Sequence, residues 1–375
     1  MTCQLSNTCG GCQYRDIPFK EYIQKKMDSF QKNISHINQA DIKIDEPFFI
    51  EDGHRRRASF SFEYKKKKLV LGFNQKQSNQ IIDLNECALL TSKINQNIPQ
   101  LRQFITELCQ VTFTERVKKK ITTSNITKGS VFVCEVDNGL DIILEFPQEA
   151  NYDIRQITFE FAEKNSDVIR ISHKFKEFSE PETLIEKSKP YIKISDINVY
   201  IPAGTFLQAS KKSETILIDL VQKYIGNSEG NIVDLFCGVG TFSYPLSHNL
   251  KNKILSIDSS KELLEGFKQS INKNIIPNIK IEARNLFKYP LLEDELKNVD
   301  ILIFDPPRAG AASQIKHIKT PSKIIAISCN PNTFINDANQ LISNGYKLEN
   351  ITLVDQFTYS PHTELVALFL PNHPY

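Results

Sequence analysis

The second half of the chain contains five short apolar runs, each breaking off at a residue able to do chemistry. Ile232 to Phe236 runs into Gly238-Val-Gly240, and Ile254 to Ile257 ends at Asp258. Ile279 to Glu282 precedes Asn285, Val299 to Phe304 ends at Asp305, and Ile324 to Ile327 leads into Ser328-Cys329. Amphipathic stretches at Ser213 to Tyr224 and Lys261 to Ile271 have helical spacing. Strands alternating with helices predict a doubly wound, mostly parallel sheet of the Rossmann-like α/β class, in which ligands gather beyond the carboxyl ends of the strands. Phe236, Asp258, Asn285, Asp305 and Cys329 should then face one crevice. Two further strand-like runs between Tyr346 and Pro371 predict a terminal hairpin.

Asp234-Leu-Phe-Cys-Gly-Val-Gly240-Thr-Phe sits where a strand passes into a helix. Glycines there allow a sharp turn and close approach of backbone to ligand. An acid at the end of the next strand, Asp258, can accept hydrogen bonds from ribose hydroxyls. Both features suit a nicotinamide dinucleotide as well as S-adenosylmethionine. The spacing D-x-x-x-G-x-G lacks the full G-x-G-x-x-G fingerprint, and Asp305-Pro-Pro-Arg308 follows the fourth strand. These points favour S-adenosylmethionine over a nicotinamide oxidoreductase.

Ser328-Cys329-Asn330-Pro331 delivers a thiol into a polar turn. A structural cysteine more often lies within the strand, whereas a thiol at a turn can serve as a nucleophile once ionised. A thiolate adding to carbon 6 of uracil makes carbon 5 nucleophilic enough to accept a methyl group. A base must then take the carbon-5 proton. Glu364, at the head of the apolar run Leu365 to Phe369, is the candidate base, because burial there raises a carboxylate pKa. Alone, it reads equally as a surface acid beside His362.

The first 200 residues have a different texture, α+β with much antiparallel pairing. A helix is expected within 13–33, strands at 58–64 and 68–73 with lysines 65–68 at a hairpin tip, further strands at 130–146 and 152–162, and a strand-rich stretch over 165–200. The expected domains are therefore 1–200 and 201–375. The net charge of +2 hides an asymmetry: residues 1–130 carry 21 Lys and Arg against 13 Asp and Glu. Such a surface suits a polyanion or is simply a solvated face. No apolar run is long enough for a membrane span and no signal peptide opens the chain, so the expectation is a soluble, cytoplasmic protein. Of eight cysteines, Cys3, Cys9 and Cys12 sit close together in a glycine-containing loop, and the others are spread along the chain. Four thiolates can hold zinc or an iron–sulfur cluster. Cys109, Cys134 and Cys237 read as core or incidental.

DLFCGVGTF, DPPRAG, SCNP and HTELVALF together, in that order, resemble the uridine-5 RNA methyltransferases that act on ribosomal and transfer RNA. Gly204-Thr-Phe206-Leu-Gln208 resembles the segment opening that family's catalytic domain. The resemblance implies that Gln208, Phe236, Asp258 and Asp305 bind S-adenosylmethionine, with Asn285 a weaker candidate, that Cys329 is the nucleophile and that Glu364 is the base. It also implies a [4Fe–4S] cluster on Cys3, Cys9, Cys12 and Cys87, which tips the metal choice away from zinc. Gly53-His-Arg-Arg-Arg-Ala58 resembles the family's basic strand entry. With Lys65–Lys68 and Lys118–Lys120 it offers an RNA backbone contact surface, which positions an RNA without specifying it. Many relatives carry a small β-barrel before the cysteine motif. Here Cys3 is almost the first residue, so RNA affinity is expected from the basic first half. The basic motif and the segment ending at Cys87 resemble the ribosomal branch more, which favours 23S ribosomal RNA over transfer RNA. A non-catalytic iron–sulfur RNA-binding protein and an amino-group methyltransferase are the competing classes. Intact Cys329 and Glu364 argue against the first, and Arg308 after the two prolines against the second.

Overall fold

The computed structural model describes residues 3–117, 120–175 and 180–372, with the side chains of 115–121 excepted. The expected division is a single one after residue 200. Contacts instead group residues 1–16, 51–192 and 201–205 in one compact unit, and 17–50, 193–200 and 206–375 in a second.

The first unit is built on a seven-stranded sheet. Its order is Glu182–Glu186, Val168–Lys174, Gly139–Glu145, Lys128–Val136, Arg57–Lys65, Lys68–Asn74, Ile81–Asp83. All neighbours are antiparallel except Val168–Lys174 beside Gly139–Glu145. Alternation places Ala58, Phe60 and Phe62 in the core with Val131 and Val133. Helices Ser92–Gln110 and Tyr152–Lys164 contribute Ile94, Ile98, Leu101 and Ile154 to that core, and Phe104 stacks on Phe161 at 4.1 Å. The segment expected as a strand at 152–162 is thus a helix. Asn151 caps it by accepting from the Ile154 N–H at 3.0 Å. Ile154, Thr158 and Ala162 recur at a spacing of four along its buried face. The β-branched residues there suggest a strand only when that spacing is ignored. The lysine hairpin lies where expected: Lys65 pairs Lys68, and Lys66 and Lys67 take φ of 49° and 62°, the left-handed turn a two-residue hairpin requires.

The second unit holds a nine-stranded sheet. Along it run Lys43–Ile44, Tyr346–Asp355, Glu364–Pro371, Lys323–Ser328, Ile301–Phe304, Asn231–Leu235, Lys253–Asp258 and Ile279–Ala283, with Phe48–Phe49 also pairing Tyr346–Asp355. Asn231–Leu235 lies between Lys253–Asp258 and Ile301–Phe304, all parallel. The strand order therefore reverses beside it, which marks a ligand-binding switch point. The terminal hairpin is present, and Glu364–Pro371 runs antiparallel to Lys323–Ser328. Helix Phe19–Ile34 adds Phe30 and Ile34 to this core. Cys109 and Cys134 are buried in the first unit and Cys237 in the second, as expected of core thiols. Among the described residues no helix is long and apolar enough to cross a membrane.

Candidate active site

Sheet register decides which side chains meet. Leu235 pairs Ile257 on one side and Phe304 on the other, and Phe304 pairs Ala326. Phe236, Asp258, Asp305 and Cys329 consequently emerge from one edge. The last strand runs the opposite way, so its first residue reaches that same edge: Ser328 pairs Leu365, which sets Glu364 beside Cys329.

The glycine turn is shaped for a ligand. Phe236, Gly238 and Gly240 all have positive φ, at 59°, 54° and 90°. A Cβ on Gly240 would lie 2.4 Å from Phe267 Cζ, so that glycine is required for packing. A Cβ on Gly238 would meet nothing within 4 Å, so space lies open above this backbone. The Gly238 N–H donates to Asp258 Oδ2 at 3.0 Å and the Ser260 N–H to Oδ1 at 2.9 Å, which fixes the carboxylate beside the turn. Phe236 packs against Phe287 with ring centroids 5.5 Å apart. Asn285 Oδ1 accepts from the Phe287 and Lys288 N–H groups, so it shapes the turn carrying Phe287. Beneath the turn Asp234 is fully buried and accepts from Ser243 Oγ at 2.5 Å. Burial pushes its pKa up to about 7.

Asp305 and Glu364 form an acidic pair whose pKa values are both raised. Recess from solvent is the main cause for each, and Asp305 adds repulsion at Glu364. Two glutamines moderate them. Gln208 Nε2 lies 3.4 Å from Asp305 Oδ2, and Gln356 Nε2 donates to Glu364 Oε2 at 2.6 Å and to Gln208 Oε1 at 2.9 Å. The Cys329 thiol is pushed up to about 11 by burial and by the charges of Glu364 and Asp305, with Arg308 opposing. Arg308 is exposed and reaches the His362 ring, Nη2 to Nε2 at 3.1 Å. Asn330 Oδ1 caps helix Pro331–Ser343, and its Nδ2 donates to the Arg308 carbonyl at 3.0 Å, tying the Cys329 turn to the Asp305-Pro-Pro-Arg308 loop.

A buried set of contacts braces the loop between the last two strands. Lys26, from helix Phe19–Ile34, pairs with Asp355 at 2.9 Å and donates to the His362 carbonyl, and Tyr22 donates to Asp355. Sequence reasoning missed both this brace and Gln356. The brace has no sequence signal, because its partners lie more than 300 positions apart. Gln356 had one: a polar residue directly after a fully buried strand segment, at the edge where the ligands gather.

In the first unit the four expected ligand cysteines share a neighbourhood. The Cys12 thiol is pushed up to about 12 by burial, with contributions from Cys87, Cys9 and Cys3, and Arg15 opposes the shift. The Gly11 N–H points to Cys9 Sγ at 3.4 Å, and Asn95 binds both the N–H and the carbonyl of Cys87. Yet among the described residues no three His, Cys, Asp or Glu side chains are arranged to hold a metal. The basic strand entry also departs from expectation: Arg56 is buried at 4% exposure and Arg55 and Arg57 are half-buried, whereas Lys65 to Lys68 are exposed. Lys118, Lys119 and the side chain of Lys120 lie outside the described residues.

The family model for tRNA (uracil-5-)-methyltransferases matches residues 187–371. An uncharacterized RNA methyltransferase of Agrobacterium fabrum is 32% identical over 369 residues, covering 97% of this chain and 82% of that protein. The chain belongs to the S-adenosylmethionine-dependent uridine-5 RNA methyltransferase family. As a member it is an RNA (uracil-5-)-methyltransferase, with S-adenosylmethionine as methyl donor and RNA as substrate. This methyltransferase is also 25% identical to the 23S rRNA (uracil(1939)-C(5))-methyltransferase of Aliivibrio salmonicida, over 98% of this chain and 81% of that one. Its fold is shared with the Pyrococcus abyssi tRNA (uracil-54, C5)-methyltransferase bound to S-adenosyl-L-homocysteine. The TM-score is 0.74 at 21% identity, covering 96% of this chain and 86% of that structure.

Proposed function

We propose that the enzyme methylates carbon 5 of a uridine in 23S ribosomal RNA through a covalent adduct on Cys329, with Glu364 as the base. The observation that carries this reading is the antiparallel register of the last strand, which brings an acid of raised pKa to the same edge as the cysteine. Cys329 Sγ adds to carbon 6 of the ring, and its S–H proton passes to solvent as the bond forms. Electron density then accumulates at carbon 5 and on the ring carbonyl. S-adenosylmethionine, when bound, supplies an electrophilic methyl group. Glu364 in its carboxylate form takes the carbon-5 proton, and the sulfur leaves carbon 6 as the double bond returns.

Gln208, Phe236, Asp258 and Asp305 are the residues proposed to hold the donor. The open space above Gly238 and the fixed Asp258 carboxylate support this. Asp305, whose charge acts on Glu364, is proposed to contact the uracil edge as well. A uridine inside folded RNA must be turned out of its stack to reach Cys329, and the exposed lysines 65–68 supply backbone contacts.

Cys3, Cys9, Cys12 and Cys87 are proposed to hold a [4Fe–4S] cluster. Four thiols are the right donors for it in chemistry, and these act on one another electrostatically with Arg15 and Arg55 opposing thiolate charge, although among the described residues they are not arranged around a metal. A cluster of this kind would knit the cysteine loop to the Cys87 segment. Iron and sulfide content and visible absorption after anaerobic purification test it independently of methyl transfer. A cytoplasmic location follows from the choice of RNA.

The functional test is incubation with labelled S-adenosylmethionine and separate ribosomal and transfer RNA pools, followed by nucleoside analysis. 5-Methyluridine in the large-subunit ribosomal pool is expected. Label confined to transfer RNA transfers the reading to the other branch, and no 5-methyluridine in either pool overturns it.

A further inference from the structure

Gln356 is buried, at 5% exposure, between the two acids. Its orientation is fixed by chemistry. Oε1 accepts the Ala209 backbone N–H at 3.0 Å, and Ser213 Oγ lies 3.1 Å from the same atom. A backbone N–H can only donate, so Oε1 must face it and Nε2 must face the opposite way. There its two hydrogens go to Glu364 Oε2 and Gln208 Oε1. The result is a one-way row: Gln356 donates to Glu364, Gln356 donates to Gln208, and Gln208 lies toward Asp305. Each acid is thereby offered an amide N–H by this row, which turns no acceptor toward either.

We propose that Gln356 is a positioning residue for the base: its locked amide occupies Glu364 Oε2 as an acceptor and leaves Oε1 to take the carbon-5 proton. The inference rests on the reading of Glu364 as the base. An N–H donor favours the carboxylate over the acid, so the amide counteracts the charge of Asp305 and the burial of Glu364. The titratable groups acting on this carboxylate are Asp305, beyond strand Ile301–Phe304, and Cys329, beyond strand Lys323–Ser328. Arg308 acts on Cys329 from the loop after Asp305. The same amide also orients Gln208, so the base and a donor-site residue share one support.

Gln356→Met keeps the volume and removes both donors. On RNA carrying 5-tritiated uridine, kcat for tritium release should fall at least tenfold at pH 7. The acid limb of its pH profile should move to higher pH, roughly tenfold in proton concentration, since the carboxylate loses its donor. A hydrogen isotope effect at carbon 5 should appear or grow, while KM for RNA stays within threefold. A denaturant-resistant RNA–protein adduct should accumulate. Gln356→Glu, which keeps the shape but adds a third acid, should show a larger upward movement of the same limb. Both variants are compared at matched melting temperature and matched S-adenosylmethionine binding. Glu364→Gln, run in parallel, separates the two ideas. If it releases tritium at the normal rate, the assignment of the base fails. If it blocks release while both Gln356 variants keep the parent pH profile and isotope effect, the proposal for Gln356 alone is overturned. Should Gln356→Met not fold, the profile of Gln356→Glu decides by the same criterion.

Discussion

A cysteine whose thiol is pushed up to about 11 holds almost no thiolate at neutral pH. Burial and two neighbouring carboxyl groups cause this, which disfavours the thiolate in the enzyme without substrate. Cys329→Ala should give no detectable turnover while binding S-adenosylmethionine normally by calorimetry, and full activity in that variant would remove the cysteine from the mechanism. The pH dependence of the wild type follows from Glu364. Its raised pKa means that the acid form persists to higher pH than for an ordinary glutamate, and proton removal from carbon 5 needs the carboxylate. Removal of the carbon-5 proton from the preformed Cys329 adduct should therefore speed up with pH through the neutral region, whereas a base with an ordinary glutamate pKa would give a flat profile for that step.

Asp234 permits a stability test at the same scale. Its pKa is raised from 3.8 to about 7, so the folded state binds the proton more tightly than the unfolded chain. The resulting stabilisation is complete below about pH 4 and is lost as pH rises through 7. Denaturant melts at pH 5 and pH 8 should show wild-type stability dropping by a few kcal/mol, because each tenfold difference in proton affinity is worth about 1.4 kcal/mol. Asp234→Asn should show a much smaller drop from this group. That Phe236, Asp258, Asp305, Cys329 and Glu364 share one sheet edge was legible in the sequence because each stands at or beside a strand end. Gln356 was not singled out because its importance lies in two side-chain amides facing each other across 148 positions.

At the scale of the element, the strand–turn–helix at Asn231–Leu235 separates two uses of glycine. Gly240→Ala forces a methyl group against Phe267 in a left-handed backbone conformation. The expected cost is about 2–5 kcal/mol, from strain and overpacking together. Gly238→Ala meets open space, so only the backbone strain of about 1–2 kcal/mol applies. Its Cβ, however, enters the volume proposed for the donor. Chemical melts with titration of S-adenosylmethionine should show the first variant unstable and the second folded but weak in binding. The alternating strands of this half were readable because each apolar run is short, buried and ended by a polar residue. Segment 152–162 was misread because Ile, Thr and Phe carry strand propensity, while the cap at Asn151 and the four-residue spacing of its buried face decide for helix.

At the scale of the whole molecule, the unit carrying the candidate site is assembled from distant parts of the chain. Helix Phe19–Ile34 and strands Lys43–Ile44 and Phe48–Phe49 belong to it, although residues 51–192 of the other unit intervene. A division after residue 200 read from the change of strand and helix pattern could not register this, because Lys26 and Asp355 are unremarkable until they meet. Removing one partner of that buried pair, as in Lys26→Met, should destabilise the second unit by about 3–5 kcal/mol. A fragment comprising residues 201–375 should fail to give a cooperative melt. Joining residues 17–50 to it through a flexible linker should restore one, and an equally sharp melt without that segment would contradict the assignment.

The interleaving also sets an order of events during synthesis. Strand Lys43–Ile44 pairs with Asn350 and Ile351, so it leaves the ribosome about 300 residues before its partner exists. At roughly 5–20 residues per second, that interval is about 15–60 s. The helix with Tyr22, Lys26 and Phe30 and the two strand edges must remain available, unpaired, while residues 51–192 emerge and collapse around their own core. A nascent chain of this protein therefore presents residues 17–50 as a sticky, waiting edge, and a ribosome-bound chaperone that shields it should improve yield more than one acting on the released chain.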